Sequence, residues 1–300
     1  MSDPTVILKA DGAEAGVLPE IGGCIAFYRA DIAGRKIDFL RPAGAAALAQ
    51  RDPRLTGCFP LVPFSNRIRA GKFRFAGREI ALPANAPTGP HAIHGFGFEA
   101  LWRVATRSES RLAIEHRRDG GAWPFSYIAR QVFELTSAGL TVTMKVGNLG
   151  DEPMPLGLGW HPYFPRTPRA RLSAPVGRMW RTDAEGMPVE LIDPPATHLL
   201  GPCINPDANP MDNCFTGWNG RAAIDWPERG ARLEISADPA LKFLVVFTPP
   251  GRDFFCVEPV SNCTDAFNLA AQGRGDTGMI VLPSGGTIGA AMRLAPQALR

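Results

Sequence analysis

The sequence predicts an all-β protein: one large antiparallel β-sandwich with few short helices. Three observations carry that expectation. Of 300 residues, 32 are Gly and 29 are Pro, about a fifth of the chain where ~12% is ordinary. So many helix breakers exclude a bundle, a coiled coil or a long-helix repeat. Disorder is excluded too, because 45% of the residues are hydrophobic and the breakers are spread along the chain. Second, short runs with strand character recur between turn residues. Third, no amphipathic stretch longer than about three turns accompanies them.

The predicted strands, in order, are residues 5–8, 24–28, 36–40, 102–106, 111–116, 127–135 and 140–146, then 231–236, 241–247, 254–257, 279–282 and 287–294. Residues 111–116 and 140–146 alternate apolar and polar positions, as half-buried antiparallel strands do. Breaks hold Gly, Pro, Asp or Asn at nearly every step. Repeats and low-complexity linkers are absent, so residues 1–300 are expected to form a single domain. Residues 57–97, with Pro60, Pro63, Pro83, Pro87 and Pro90, read as irregular, as do residues 194–219 with five prolines. Long irregular stretches in compact domains are commonly functional, so both are expected to rim a cleft.

Charge narrows the function classes. The net charge is +3, and the basic residues are five Lys and 27 Arg without a long run; a nucleic-acid partner is not expected. No stretch reaches the ~18 continuous apolar residues of a spanning helix, and the N-terminus has no basic segment followed by an apolar one. Six cysteines stand at positions 24, 58, 203, 214, 256 and 263 with no C-x-x-C pair. They are expected to be buried free thiols in a cytoplasmic protein, a monomer or a homodimer.

Two motifs are set aside. Gly273-Arg274-Gly275-Asp276-Thr277-Gly278 satisfies G-x-G-x-x-G but leads into a predicted strand, whereas the dinucleotide fingerprint opens a helix. His91 and His94 have ligand-like spacing but no helix and no third ligand, so no metal is expected.

Three local signals remain. They are Asn66-Arg67-Ile68 with His94-Gly95 behind it, Trp160-His161-Pro162-Tyr163-Phe164, and Glu258 with Asp265-Ala266-Phe267-Asn268. Singly, each has a bland reading: a structural His among aromatics, or a carboxylate at a strand end paired with Arg67. Together they resemble the aldose 1-epimerases, the galactose mutarotases. The family's Asn-Arg-Ile, Gly, aromatic, Gly, Leu, Asn and His-Gly stand here as Asn66-Arg67-Ile68, Gly71, Phe73, Gly77, Leu82, Asn85 and His94-Gly95. Its His before Tyr-Phe matches His161, its Glu before Asp-Ala-x-Asn matches Glu258, and its loop Asp matches Asp212.

The resemblance implies a galactose mutarotase-like sandwich and a cofactor-free isomerase that interconverts the anomers of a free sugar. It implies Glu258 as base, His161 as acid and His94 near the ring oxygen, with Arg67, Asp212 and Asn66 on the sugar. Trp160, Phe96 and Trp218 are the candidates for its apolar face. The chain departs from the family at Phe96, Trp160, Pro165 and Val260, which leaves the sugar open. A sugar phosphate, held by Arg69, Arg166 or Arg169, is one alternative; a non-catalytic carbohydrate sensor on the same fold is another. The joint presence of His94, His161 and Glu258 favours the enzyme, since a binder needs no matched acid and base.

Overall fold

A computed structural model of the chain describes residues 4–200, 205 and 210–299. Two large antiparallel sheets pack face to face. The eleven-stranded sheet runs from Val6–Ala10 through Ala13–Leu18, Cys24–Ile32, Cys58–Leu61, Gly159–Pro165, Phe254–Val260, Phe243–Phe247, Asp212–Phe215 and Met179–Thr182 to Pro188–Ile192, with Arg35–Asp38 paired to Cys24–Ile32. The eight-stranded sheet runs Arg103–Arg107, Arg111–Arg118, Tyr127–Thr136, Gly139–Asn148, Thr287–Ala298, Ala231–Ala237, Arg221–Trp226 and Arg171–Ser173. Among the described residues the α-helices are Ala45–Gln50 and Ala266–Ala271, six residues each, and no helix is long and apolar enough to cross a membrane.

The core lies between the sheets, where period-two side chains from both meet. On Gly139–Asn148, Val142, Met144 and Val146 are buried and Lys145 is exposed, the alternation a half-buried strand requires. One polar residue crosses the core: Trp160 Nε1 donates to Gln131 Oε1 at 3.1 Å, and Gln131 Nε2 donates to the Gly23 carbonyl at 3.0 Å. Gln131 thereby ties its own strand to the strand Gly159–Pro165 of the facing sheet and to the turn that leads into Cys24–Ile32, and its satisfied hydrogen bonds offset the cost of burying the amide.

Every predicted strand falls on a strand of the fold. The two stretches read as irregular do not hold as such. Residues 57–97 contain the central strand Cys58–Leu61 and the small hairpin Lys72–Phe75 with Arg78–Ala81. Residues 194–219 contain Asp212–Phe215, while 201–204 and 206–209, with Cys203, lie outside the described residues. The reason is burial on both faces. The large sheet has the core beneath its middle strands and a cleft with loops above, so Cys58–Leu61 and Gly159–Pro165 show no polar alternation. Pro60, Pro162 and Pro259 also occupy these middle strands, where proline is a breaker by ordinary rules.

The G-x-G-x-x-G motif resolves as expected. Residues 273–278 connect helix Ala266–Ala271 to strand Ile280–Leu282, the reverse of a dinucleotide turn. His91 is buried, with its Nδ1 accepting from the Ala70 N–H at 3.0 Å and its Nε2 3.1 Å from Glu185 Oε2. The five described cysteines are free and buried.

Candidate active site

Middle strands of the large sheet turn one face toward a cleft of about 140 Å³. Alternation decides which side chains reach it. On Gly159–Pro165, His161 and Tyr163 line the cleft, whereas Trp160 and Phe164 enter the core. Phe59 lies opposite His161 in register, Tyr163 opposite Cys256, Val245 opposite Glu258 and Phe247 opposite Asp212. Gly159 pairs with Val260 and Tyr163 with Cys256; continuing that register brings His161 opposite Glu258. Their contact is direct: His161 Nε2 lies 3.2 Å from Glu258 Oε1, and both residues are buried. The pair is a consequence of strand register, the most strongly specified feature of a buried sheet.

Its electrostatics follow from its packing. The His161 ring is stacked between Phe59, at 4.5 Å between centroids, and Tyr163, at 4.7 Å. The Arg41 guanidinium lies over the far face of this stack, 3.9 Å from the Tyr163 centroid. Arg54 sits 5.0 Å over Phe98, which packs on Phe59. Burial chiefly pushes the His161 pKa down, to about 3, with the Arg41 and Arg54 charges adding to it. Burial also pushes the Glu258 carboxyl well above its ordinary range; the Asp212 charge adds to that and Arg67 opposes it. Both shifts favour the neutral forms, an unprotonated imidazole beside a protonated carboxyl.

The rim is built differently. Asn66 and His94 have left-handed backbones, φ +58° and +64°, which cost energy for residues with a Cβ. They hold each other: the Asn66 N–H donates to His94 Nδ1 at 3.3 Å, and the His94 N–H donates to the Asn66 carbonyl at 3.0 Å. An Nδ1 that accepts leaves the hydrogen of the neutral ring on Nε2. Gly95 follows because a Cβ there would stand 2.3 Å from the Val62 carbonyl oxygen. The His94 ring stands 89° to that of His161, with centroids 5.2 Å apart. Across the cleft, Arg67 Nη2 is 3.6 Å from Asp212 Oδ2. Burial raises the Asp212 pKa and the Arg67 charge counters it.

The fold agrees with what comparison with known proteins finds. The protein-family model described as Aldose 1-epimerase matches residues 4–295. The chain belongs to the aldose 1-epimerase family. It is similar to YphB of Escherichia coli K12, an uncharacterized protein, with 34% identity over 235 residues, 75% of this chain and 79% of that protein. A solved structure from the same organism shares 29% identity at a TM-score of 0.87, covering 98% of this chain and 99% of the other. A galactose mutarotase-like protein from Clostridium acetobutylicum superposes with a TM-score of 0.87 at 21% identity, over 98% and 95% of the two chains.

In this member of the aldose 1-epimerase family, Asn66, Arg67, His94, His161, Asp212 and Glu258 all line the cleft. Trp160 does not. As the neighbour of His161 on an extended strand it faces the core, with its indole on Gln131. Phe96 and Trp218 are also elsewhere: Phe96 stacks under Arg118, and Trp218 donates to the Arg221 carbonyl. The aromatic lining is Phe59, Tyr163 and Phe247. Of these, Tyr163 was within reach of sequence reasoning, because it is two residues from His161 and shares its face. Arg54 lines the cleft as well, and no sequence signal marks it.

The Asp-Ala-x-Asn motif of the family lies behind the rim as a clamp. The Asp265 N–H donates to the Arg67 carbonyl at 2.9 Å, and Asp265 Oδ1 accepts from the Arg69 N–H at 2.9 Å. Asn268 Nδ2 donates to Asp265 Oδ1 and to the Lys72 carbonyl, both at 2.8 Å. The backbone from Arg67 to Lys72 is thus held by Asp265 and Asn268, which are distant in sequence.

Proposed function

We propose that this protein is a cytoplasmic, cofactor-free mutarotase that interconverts the α and β anomers of a free, uncharged aldose. The observation that carries the reading is the His161–Glu258 contact of 3.2 Å on the floor of a cleft sized for one small ring, close to the ~150 Å³ that accommodates benzene. The two oxygens of a hemiacetal share one carbon, so the acid and base serving them must stand side by side. Ring opening removes the proton of the C1 hydroxyl, protonates the ring oxygen and breaks the bond between C1 and that oxygen. Rotation about C1–C2 and reversal of both transfers closes the other anomer.

A pair sharing one proton suits this reaction in both directions. For Glu258 to act as base and His161 as acid, the proton passes from Glu258 to His161 along their contact as the sugar's hydroxyls solvate the carboxylate. Each positioned acid or base contributes about 10²–10⁴-fold when its pKa matches the task. His94 Nε2–H serves the ring oxygen, while Arg67 and Asp212 hold hydroxyls.

Charge pairing favours an uncharged sugar over a sugar phosphate. Arg67 faces Asp212, Arg54 lies 3.5 Å from Glu99, and Arg69 is engaged by Asp183 and Asp265. Arg166 and Arg169 do not line the cleft.

Pure α-anomers of several aldoses, dissolved with the protein and followed by NMR or polarimetry, are expected to equilibrate faster than in buffer. Acceleration of none of them, or full activity in Glu258→Gln, would sink the reading.

A further inference from the structure

We propose that the cleft floor also binds a borderline-soft divalent cation of the zinc class, through His161 Nε2, Cys256 Sγ and Glu258 Oε1. Acid–base chemistry has no use for a thiol, yet Cys256 is two residues from Glu258 on one strand and shares its face. Its cross-strand neighbour is Tyr163, which shares the cleft face with His161. The three ligand atoms all lie within 4.8 Å of one another, and the three residues are buried. Bonds of about 2.3 Å to sulfur and 2.0–2.2 Å to nitrogen and oxygen place the ligand atoms of a tetrahedral ion about 3.5 Å apart. The His161–Glu258 contact is near that already at 3.2 Å, so closing on an ion takes side-chain shifts of about an ångström.

One nitrogen, one sulfur and one oxygen make a three-ligand set with the fourth position open toward the cleft, where a water completes the shell. On binding, the thiol and the carboxyl each release a proton to solvent. The dication then meets a thiolate, a carboxylate and a neutral imidazole, and no net charge is buried. Because the ion takes the His161 lone pair and the Glu258 carboxylate, it and the sugar exclude one another; bound metal is a competitive inhibitor.

Cobalt(II) is the probe. Titrated into the whole protein, it is expected to produce a near-ultraviolet thiolate-to-cobalt charge-transfer band that zinc(II) then bleaches. The band is expected to persist in Cys263→Ser and to vanish in Cys256→Ser, with cobalt affinity at least tenfold weaker. His161→Gln keeps the thiol, so it is expected to retain the band while losing affinity by a similar factor; this variant decides the matter if Cys256→Ser does not fold. Absence of the band in the native protein, its survival in Cys256→Ser, or unchanged affinity in His161→Gln would overturn the proposal. None of these readings requires sugar turnover. A failed anomer assay leaves the metal site standing, and a missing band leaves the mutarotase reading intact.

Discussion

The floor and the rim of the cleft solve the same positioning problem by different physics. On the floor, His161 and Glu258 are interior residues of adjacent strands, and their 3.2 Å contact follows from pairing that also buries the core. A one-residue slip would reverse every side chain on the strand, so their alignment is as secure as the sheet. On the rim, Asn66 and His94 occupy left-handed backbone, and Arg67 is held because Asp265 and Asn268 grip the chain around it. On the proposed mechanism, proton transfer, the step least tolerant of misplacement, falls to the rigid part. Hydroxyl recognition, which differs from sugar to sugar, then falls to the part that can vary without unpairing a strand. Floor variants should therefore act on kcat and rim variants on KM.

The largest expected effect is at Glu258. Glu258→Gln removes a positioned proton carrier, and kcat is expected to fall about 10³-fold, within the ~10²–10⁴ range for such a group. The carboxyl is buried and its pKa raised toward the neutral form, so an amide of the same shape removes a poorly solvated acid, and the thermal midpoint should stay or rise. A fall in Tm with only KM altered would erase the contrast between floor and rim.

Next is the pH profile of kcat/KM. Uptake of a second proton by the pair silences the base. The His161 pKa lies at about 3 rather than 6.5, so the acid limb should fall far below the ordinary imidazole range. Loss of the single proton silences the acid, and Glu258 is raised above the carboxylate range, so the alkaline limb also moves outward. The expected profile is flat through neutral pH; an acid limb centred near 6.5 would show that burial does not control the imidazole.

The same division explains what could be read from the sequence. Strands with one wet face, such as Gly139–Asn148, announce themselves by alternation. The strands that carry the floor do not. Gly159–Pro165 is buried on both faces and holds two prolines, so the sequence predicts no strand there, and nothing assigns a face to Trp160. Read as a strand, the segment would have sent Trp160 and His161 to opposite faces. Glu258 was placed at a strand end, whereas the strand continues through Pro259 to Val260. Chemistry was legible where residue type is demanding, at His94, His161, Glu258 and Arg67. Phe59 and Arg54 were illegible because any apolar or long polar residue reads alike until the register is known.

A smaller effect is expected at the clamp. Asp265→Ala leaves the Arg69 N–H without its acceptor and frees Asn268, the loss of half-buried hydrogen bonds worth about 1 kcal/mol each. KM should rise about tenfold as Arg67 loses its fixed position, with kcat within about threefold. Asp265→Asn keeps an acceptor oxygen and should recover most of the loss, which a merely destabilised fold would not predict for KM. Steady-state kinetics with a thermal melt on each variant separate the two.

The smallest is Arg67→Lys. Lysine preserves the charge opposite Asp212 but loses the planar fork that lets one side chain face that carboxylate while its Nη1 lies 3.4 Å from Asn66 Oδ1. Because the positive charge survives, the Asp212 and Glu258 carboxyls keep their counter-charge, and the pH profile should not move. Only hydrogen-bond geometry is lost, so KM should rise about three- to tenfold at constant kcat. A drop in kcat without a change in KM would mean that Arg67 acts on the transition state, and would merge rim with floor.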